Sequence, residues 1–309
     1  MTLLNLSAEP EWKLRSWLPP GLNAAKVVFF PDACPGRSPL PTGTATLLRR
    51  SDWRRFAVSD CGCDMRLLRS SVAIDALTAR RWDAIAEQLR SNKSPLGDLG
   101  GGNHFLDALE PYGEDVLYFL IHTGSRNESG LVDALVDRPS EFDREFERIV
   151  QWARDNRAAI QEAVEQEFGR LDLVVDLPHN TSEALPDGSV VVRKGAVRVR
   201  PGETNVIPSH MGGDVVLVRA TEVVSDALCS LSHGTGRTVS RGESKTYAEA
   251  YDFVALRKRI LIPSGVSDAS LRTEGPFAYR DLDECLALLR AHVEVVERFA
   301  VVAYMGHLG

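Results

Sequence analysis

Val116-Leu117-Tyr118-Phe119-Leu120-Ile121-His122-Thr123-Gly124-Ser125-Arg126 is the stretch on which the fold reading turns. Six apolar or aromatic residues in a row, most of them β-favouring, predict a buried strand. The run then breaks at once into His-Thr-Gly-Ser-Arg, which is turn chemistry. A strand that ends on a histidine beside glycine puts an imidazole at the rim of a sheet. Loops held on a rigid sheet are the usual place for chemistry.

The same grammar recurs along the chain. Apolar runs at 25–30, 171–176, 189–193, 214–218 and 299–304 are expected as strands. Helical spacing lies between them. Ile74, Leu77, Trp82, Ile85 and Leu89 fit one helix face. Phe142, Phe146, Ile149, Ala153, Ile160, Val164 and Phe168 fit a longer one, with Ser140 and Asp143 as its start signal and Gly169 as its stop. Leu286, Leu289, Val293 and Val296 predict a late helix. No internal repeat, low-complexity tract or linker breaks the pattern. One mixed α+β domain over 1–309 is expected, with 1–24 as an N-terminal extension.

Composition narrows the class. The 309 residues can bury a sizeable core, and 44% hydrophobic with 26% charged content is that of ordinary soluble proteins. No run approaches the roughly 18–20 apolar residues of a membrane helix. The first 22 residues lack the basic start and apolar run of a secretory signal, so a cytoplasmic location without a membrane is expected. The five cysteines, Cys34, Cys61, Cys63, Cys229 and Cys285, are odd in number and widely spread, which argues against a disulfide framework. Cys61 and Cys63 are too close in sequence for an ordinary disulfide. One of them reads as a thiolate ligand, or both as small buried residues. A net charge of −7 argues against broad nucleic-acid binding, which needs an overall basic face. Local basic clusters exist at Arg49-Arg50 with Arg54-Arg55, and from Arg193 to Arg200. A solvated surface accounts for them as readily as a bound anion.

Four of the seven histidines fall inside short motifs set in a fixed order. These are Asp60-Cys61-Gly62-Cys63, Gly101-Gly102-Asn103-His104-Phe105, the His122 motif, Asp176-Leu177-Pro178-His179-Asn180, Arg193-Lys194-Gly195-Ala196 and Ser232-His233-Gly234-Thr235-Gly236-Arg237. Taken singly each is weak: a Gly-rich turn is more often only a turn, and a lone His is more often structural. Histidines on turns can nonetheless converge on one metal or nucleophilic centre. As a set the motifs resemble the RtcB-type RNA ligases, which join RNA 3′-phosphate or 2′,3′-cyclic phosphate ends to 5′-hydroxyl ends. The resemblance runs from about Pro31 to the C-terminus. It implies an α+β RtcB-like domain, with mixed and antiparallel sheets and flanking helices around a central metal cleft.

Ligand chemistry and the resemblance together give a dinuclear set of Asp60, Cys63, His104, His122 and His179. A thiolate can bridge two divalent ions, and imidazoles with a carboxylate can complete both shells. The resemblance assigns the bridge to Cys63, Asp60 and His104 to one ion, and His122 and His179 to the other. Donor type alone favours zinc; manganese is implied by the family. His233 sits where glycines let the backbone approach a phosphate and Arg237 can fork onto its oxygens. From the residues alone His233 also reads as a metal ligand or a turn residue. The resemblance implies that it attacks the α-phosphate of GTP to form a histidine–GMP adduct, with Asp32 orienting it. It further implies nucleotide contacts from Asn103, Asp107, Ser209, His210, Met211, Gly234, Gly236 and Tyr279, with Arg193 and Lys194 as further anion contacts.

The chain departs from the family in places. Asp64 stands where a Gly usually follows the bridging Cys, and an added carboxylate there is expected to alter charge near the ions. Asp107 replaces Glu, Cys34 replaces the His of Pro-Asp-x-His, and the ending Gly306-His307-Leu308-Gly309 lacks the usual Lys-Gly. Segments between Cys63 and His104, and between His122 and His179, are short for the family. These changes bear on nucleotide selectivity more than on the metals. The resemblance implies cleaved or nicked tRNA or rRNA ends and GTP as partners, in RNA repair or tRNA splicing, and for some members a release-factor-like or activator protein. Two other readings compete: a metal-dependent RNA-end phosphoesterase, and a catalytically silent RNA-end-binding subunit.

Overall fold

Runs of β-branched and aromatic residues form β1 (Thr2–Asn5), β2 (Ala24–Cys34), β3 (Thr42–Arg49), β4 (Asp64–Arg69), β5 (Phe105–Pro111), β6 (Tyr118–Thr123) and β7 (Asp172–Pro178). They continue as β8 (Asn180–Ala184), β9 (Ser189–Lys194), β10 (Ala196–Arg198), β11 (Thr204–Pro208), β12 (Asp214–Ala220), β13 (Ser230–Ser232) and β14 (Val293–Met305). This computed structural model describes residues 1–36, 39–49, 53–56, 60–125 and 134–308; Arg50 of the first basic cluster and Arg126 of the His122 motif lie outside them. Among the described residues no helix is long and apolar enough to cross a membrane.

The strands make three sheets. One has the order β1-β2-β3-β9-β8, one pairs β10 with β13, and the largest runs β11-β12-β14-β5-β6-β4-β7. Only β1 and β2 run parallel among the described pairs; the other neighbours are antiparallel. The fold is α+β, as expected. The stretch read as an N-terminal extension contributes β1 to a sheet edge and buries Leu14.

Helices Ala79–Ser91 and Pro139–Phe168 cover one face of the seven-stranded sheet. Trp82, Ile85, Leu89, Ile160, Val164 and Phe168 pack there on Leu106, Phe119, Ile121 and Ala303. Each such fully buried side chain contributes about 1.5–3 kcal/mol. The other face carries Met65, Leu67, Leu109, Leu120 and Phe299. Val28, Phe30 and Val191 of the five-stranded sheet meet Ile207, Val216 and Val218 of the seven-stranded one in a shared core.

Three helix expectations need correction. Ile74 lies in a separate 3₁₀ turn, Ile74–Ala76, and Leu77 follows it in extended backbone, because Thr78 caps the helix by accepting from the Arg81 amide at 3.3 Å. The long helix starts at Pro139 with no side-chain cap, so Ser140 and Asp143 form no capping box; proline at the first turn loses no needed N–H. Its stop at Gly169 stands, with φ at 79°. The late helix covers only Leu282–Leu289; Val293 and Val296 belong to β14. Helical spacing and a β-branched run overlapped there, and pairing with β12 and β5 decided the outcome.

Candidate metal and nucleophile centre

Antiparallel order brings four motif residues to one rim of the large sheet. Cys63 immediately precedes β4, His104 immediately precedes β5, His122 lies near the end of β6, and His179 immediately follows β7. These four strands are adjacent, and two of them start where the other two finish. Asp60 joins from the turn before Cys63, at a φ of 58° that a short polar side chain tolerates. Gly124 leaves room for this carboxylate: a Cβ there would press on the Asp60 side chain and displace it. Asn180 ties the turn down: its amide donates to the Asp60 carbonyl at 3.1 Å and accepts from the Gly195 amide at 2.9 Å.

The donor atoms converge. Cys63 Sγ lies 3.5 Å from His104 Nε2 and 3.3 Å from His122 Nε2. His104 Nε2 is 3.0 Å from Asp60 Oδ2, and His122 Nε2 is 3.2 Å from His179 Nε2. Two ligand groups result, Cys63 with His122 and His179, and Asp60 with Cys63 and His104, so that Cys63 is common to both. The Asn103 carbonyl accepts from His122 Nδ1 at 2.8 Å, which leaves a lone pair on His122 Nε2. Burial first, then the neighbouring imidazoles, holds His122 and His179 well below the usual histidine range, so both are neutral. The Nδ1 atoms of His104 and His179 are buried without a hydrogen-bond partner, while their Nε2 atoms face the cluster. Electron-rich atoms aimed at one another in a buried space fit a cation between them. The residues present therefore suit the divalent pair.

A second element enters from the other sheets. His233 follows β13, and Asp32 lies on β2 with no exposure. Asp32 Oδ2 accepts from His233 Nδ1 at 2.6 Å, and the Gly195 carbonyl accepts from the same nitrogen at 2.8 Å. Ser232 Oγ donates to Asp32 Oδ1 at 2.7 Å. The His233 ring lies 4.5 Å from the His179 ring and 6.1 Å from the His122 ring. Gly236, at φ 71°, presses on Asp32; a Cβ there would sit 2.6 Å from the Asp32 Cα. Gly234 faces the Pro208 carbonyl, so this loop rests on the turn that carries Ser209, His210 and Met211.

The remaining expected contacts are placed differently. Arg193 is buried and binds Glu183, Ser230 and the Leu228 carbonyl. Its neighbour Lys194 points the other way on β9, beside Asp60, Cys61, Cys63 and Cys34, where burial lowers its pKa. Ser209 Oγ donates to the Asp214 carbonyl, His210 folds over the same turn, and Met211 is core beside Tyr304. Asp107 is buried on β5 with Oδ1 unpartnered, and burial pushes its carboxyl well up. Asp64 joins neither ligand group; Arg157 holds it on the helix side.

Three residues were missed by sequence reasoning. Glu274 is buried and accepts from Arg237 Nη1 and Arg241 Nε, each at 2.7 Å, and from the Tyr279 hydroxyl at 2.5 Å. Arg237 also donates to Ser244 and stacks over Tyr279. Arg241 is half exposed and reaches Asn103 Oδ1 at 3.4 Å. Arg157 is the third. Its signal was legible: a charge at the position between Ala153 and Ile160, on the apolar stripe of the long helix.

Comparison with known proteins gives one family. The tRNA-splicing ligase RtcB family matches residues 141–306, more than half of the chain. An RNA-splicing ligase RtcB from Escherichia coli K12 is 27% identical over 248 residues, covering 67% of this chain and 60% of the relative. A tRNA-splicing ligase RtcB from Nanoarchaeum equitans is 26% identical over 294 residues, covering 72% and 62%. The RNA-splicing ligase RtcB2 of another Escherichia coli strain is 27% identical over 324 residues, covering 86% and 84%. The chain thus spans about 60% of the length of the first two.

Proposed function

The chain belongs to the RtcB family, and we propose from that premise that it is an RNA ligase that uses GTP to join RNA 3′-phosphate or 2′,3′-cyclic phosphate ends to 5′-hydroxyl ends. The observation that carries this reading is the hydrogen bonding of His233. Two acceptors, Asp32 Oδ2 and the Gly195 carbonyl, sit at Nδ1. The proton therefore stays on Nδ1, and Nε2 keeps its lone pair. A histidine in that tautomer, fixed by a buried carboxylate and lying outside both groups of metal donors, reads as a nucleophile.

The residues then have the following work. His233 Nε2 attacks the α-phosphorus of GTP; an N–P bond forms and pyrophosphate departs. Asp32 offsets the positive charge that develops on the ring. A 3′-phosphate, formed first from any cyclic end, attacks the guanylate phosphorus, and His233 leaves as neutral imidazole. The 5′-hydroxyl of the second RNA attacks the activated 3′-phosphate, gives its proton to solvent and expels GMP. Asp60, Cys63, His104, His122 and His179 would hold two divalent ions, manganese by family resemblance, that neutralise phosphate charge and activate the attacking oxygen. Lys194 offers a further cation beside that centre, and Arg241 with Asn103 offers an anion contact at its edge. The printed names of the relatives, RNA-splicing and tRNA-splicing ligase, support RNA ends as the substrate, in repair or splicing.

The test is intact-protein mass spectrometry after incubation with Mn²⁺ and each nucleoside triphosphate, kept away from acid because N–P bonds are acid-labile. A GMP adduct that disappears in His233→Ala supports the reading. An adduct that persists in that variant removes His233 as the nucleophile. No adduct on a metal-loaded chain leaves the phosphoesterase reading instead.

A further inference from the structure

We propose that Arg157 is a positioning residue of the metal centre: from the long helix it fixes the Cys63 loop against the end of the His122 strand, with the Asp64 side chain as its hydrogen-bond partner. This rests on the reading that Cys63 and His122 hold the ions. Arg157 is 1% exposed. Its Nη1 donates to the Gly62 carbonyl at 3.0 Å and to the Thr123 carbonyl at 2.8 Å, and its Nη2 donates to Asp64 Oδ2 at 3.0 Å. One guanidinium therefore grips the residue before Cys63, the residue after Cys63 and the residue after His122.

Strand pairing alone does not do this. The ladder aligns Asp64 with Thr123, but the Cys63 loop lies outside it and takes unusual backbone angles, φ 58° at Asp60 and φ 70° at Gly62. Asn180 ties the Asp60 end of this loop, and the long helix holds its Gly62 end. A Cβ on Gly62 would lie 3.1 Å from the Val150 Cα, so the loop is pressed on the helix one turn before Ala153 and two before Arg157. Apolar residues at both 157 and 64 would serve the core as well or better, because a buried ion pair adds little stability over a hydrophobic replacement of both partners. What only the guanidinium supplies is a planar fork with donors for three acceptors at once.

Asp64 belongs to the same device. Its carboxylate, next to Cys63 in sequence, meets Arg157 rather than the ligand groups. Asp64 Oδ2 accepts from Nη2 and so holds the guanidinium in the orientation from which Nη1 reaches both carbonyls.

The experiment uses the full chain with Co²⁺ as the probe, since the thiolate-to-cobalt absorption band reports on Cys63 and titration gives affinity. Arg157→Met is expected to weaken Co²⁺ binding about tenfold or more and to shift the band, as losing an outer partner of a metal ligand does. Arg157→Lys should fall between. Asp64→Gly should weaken binding alone, yet add little to Arg157→Met, because the two act as one unit. If Arg157→Met only lowers the melting temperature and keeps wild-type affinity and band, Arg157 is merely structural and the proposal falls. Should that variant not fold, Arg157→Lys carries the test: an unchanged Co²⁺ affinity and band there, with the planar fork lost, also overturns it. Cys63→Ala separates the two levels, since full Co²⁺ binding in that variant defeats the metal-site reading itself, whatever Arg157 does.

Discussion

The two halves of the site are built on opposite plans. In the donor half, side chains at the ends of four adjacent strands and on the turn before β4 point donor atoms at one another across 3.0–3.5 Å. In the guanidinium half, Arg237, Arg241 and Tyr279 all turn onto one buried carboxylate, Glu274. A metal ligand needs only its lone pair aimed at a shared point, and a sheet rim sets that geometry directly. A buried guanidinium carries a charge that must be balanced in the folded chain, so it acquires an internal counter-ion. His233 lies between the plans, held like the second half and facing the first.

The largest effect that would break this picture is at the hinge between the halves. His233→Ala should remove adduct formation and cut ligation by about a thousandfold or more, with bound metal retained. Metal content and adduct mass, measured on one sample, check it; loss of both together would make His233 a ligand. Next is Cys63→Ala, expected to lower metal content from two ions per chain and to abolish ligation, read by elemental analysis of the dialysed protein. Unchanged content would defeat the shared-thiolate arrangement.

A smaller effect separates the halves from the other side. Glu274→Gln leaves two guanidiniums with a neutral partner, at a cost of about 1–3 kcal/mol. Adduct formation should fall about tenfold or more while metal content stays whole. Equal loss of metal would mean the halves are one unit.

The smallest effect concerns pH. His210 has its pKa lowered to about 4, by burial and then by Arg259. The unfolded residue protonates near the ordinary value of about 6.5, so as pH falls the unfolded chain takes up the proton first. Stability present above about 6.5 is therefore lost between 6.5 and 4. His210→Gln should flatten the fall by on the order of 1 kcal/mol per pH unit, seen in thermal melts from pH 7 to 4.5. A slope unchanged by the substitution would show that the buried His122 and His179 dominate the acid response.

Much of this was legible before folding. The run 116–121 leading into His122, and the matching run before His179, named both strands and the rim where their histidines lie, because a β-branched apolar run has few other places to go. The late helix was half wrong for the same reason in reverse: Leu282–Leu289 and β14 share apolar spacing, and only the neighbours β12 and β5 separate them. Arg193 and Lys194 illustrate a finer limit. Adjacent in sequence and alike in charge, they lie on opposite faces of β9, one in a structural ion pair and one beside the ligands.

By itself the sequence determined the residue types of the centre and their order. Thiol, imidazole and carboxylate chemistry is carried by single side chains, and the turn residues around them are local. Tertiary structure alone decided which atoms face one another: the shared position of Cys63, the tautomer of His233, the grip of Arg157 and the pairing of Glu274. Those depend on carbonyls and charges supplied by segments more than thirty residues away, and no local rule specifies such a partner.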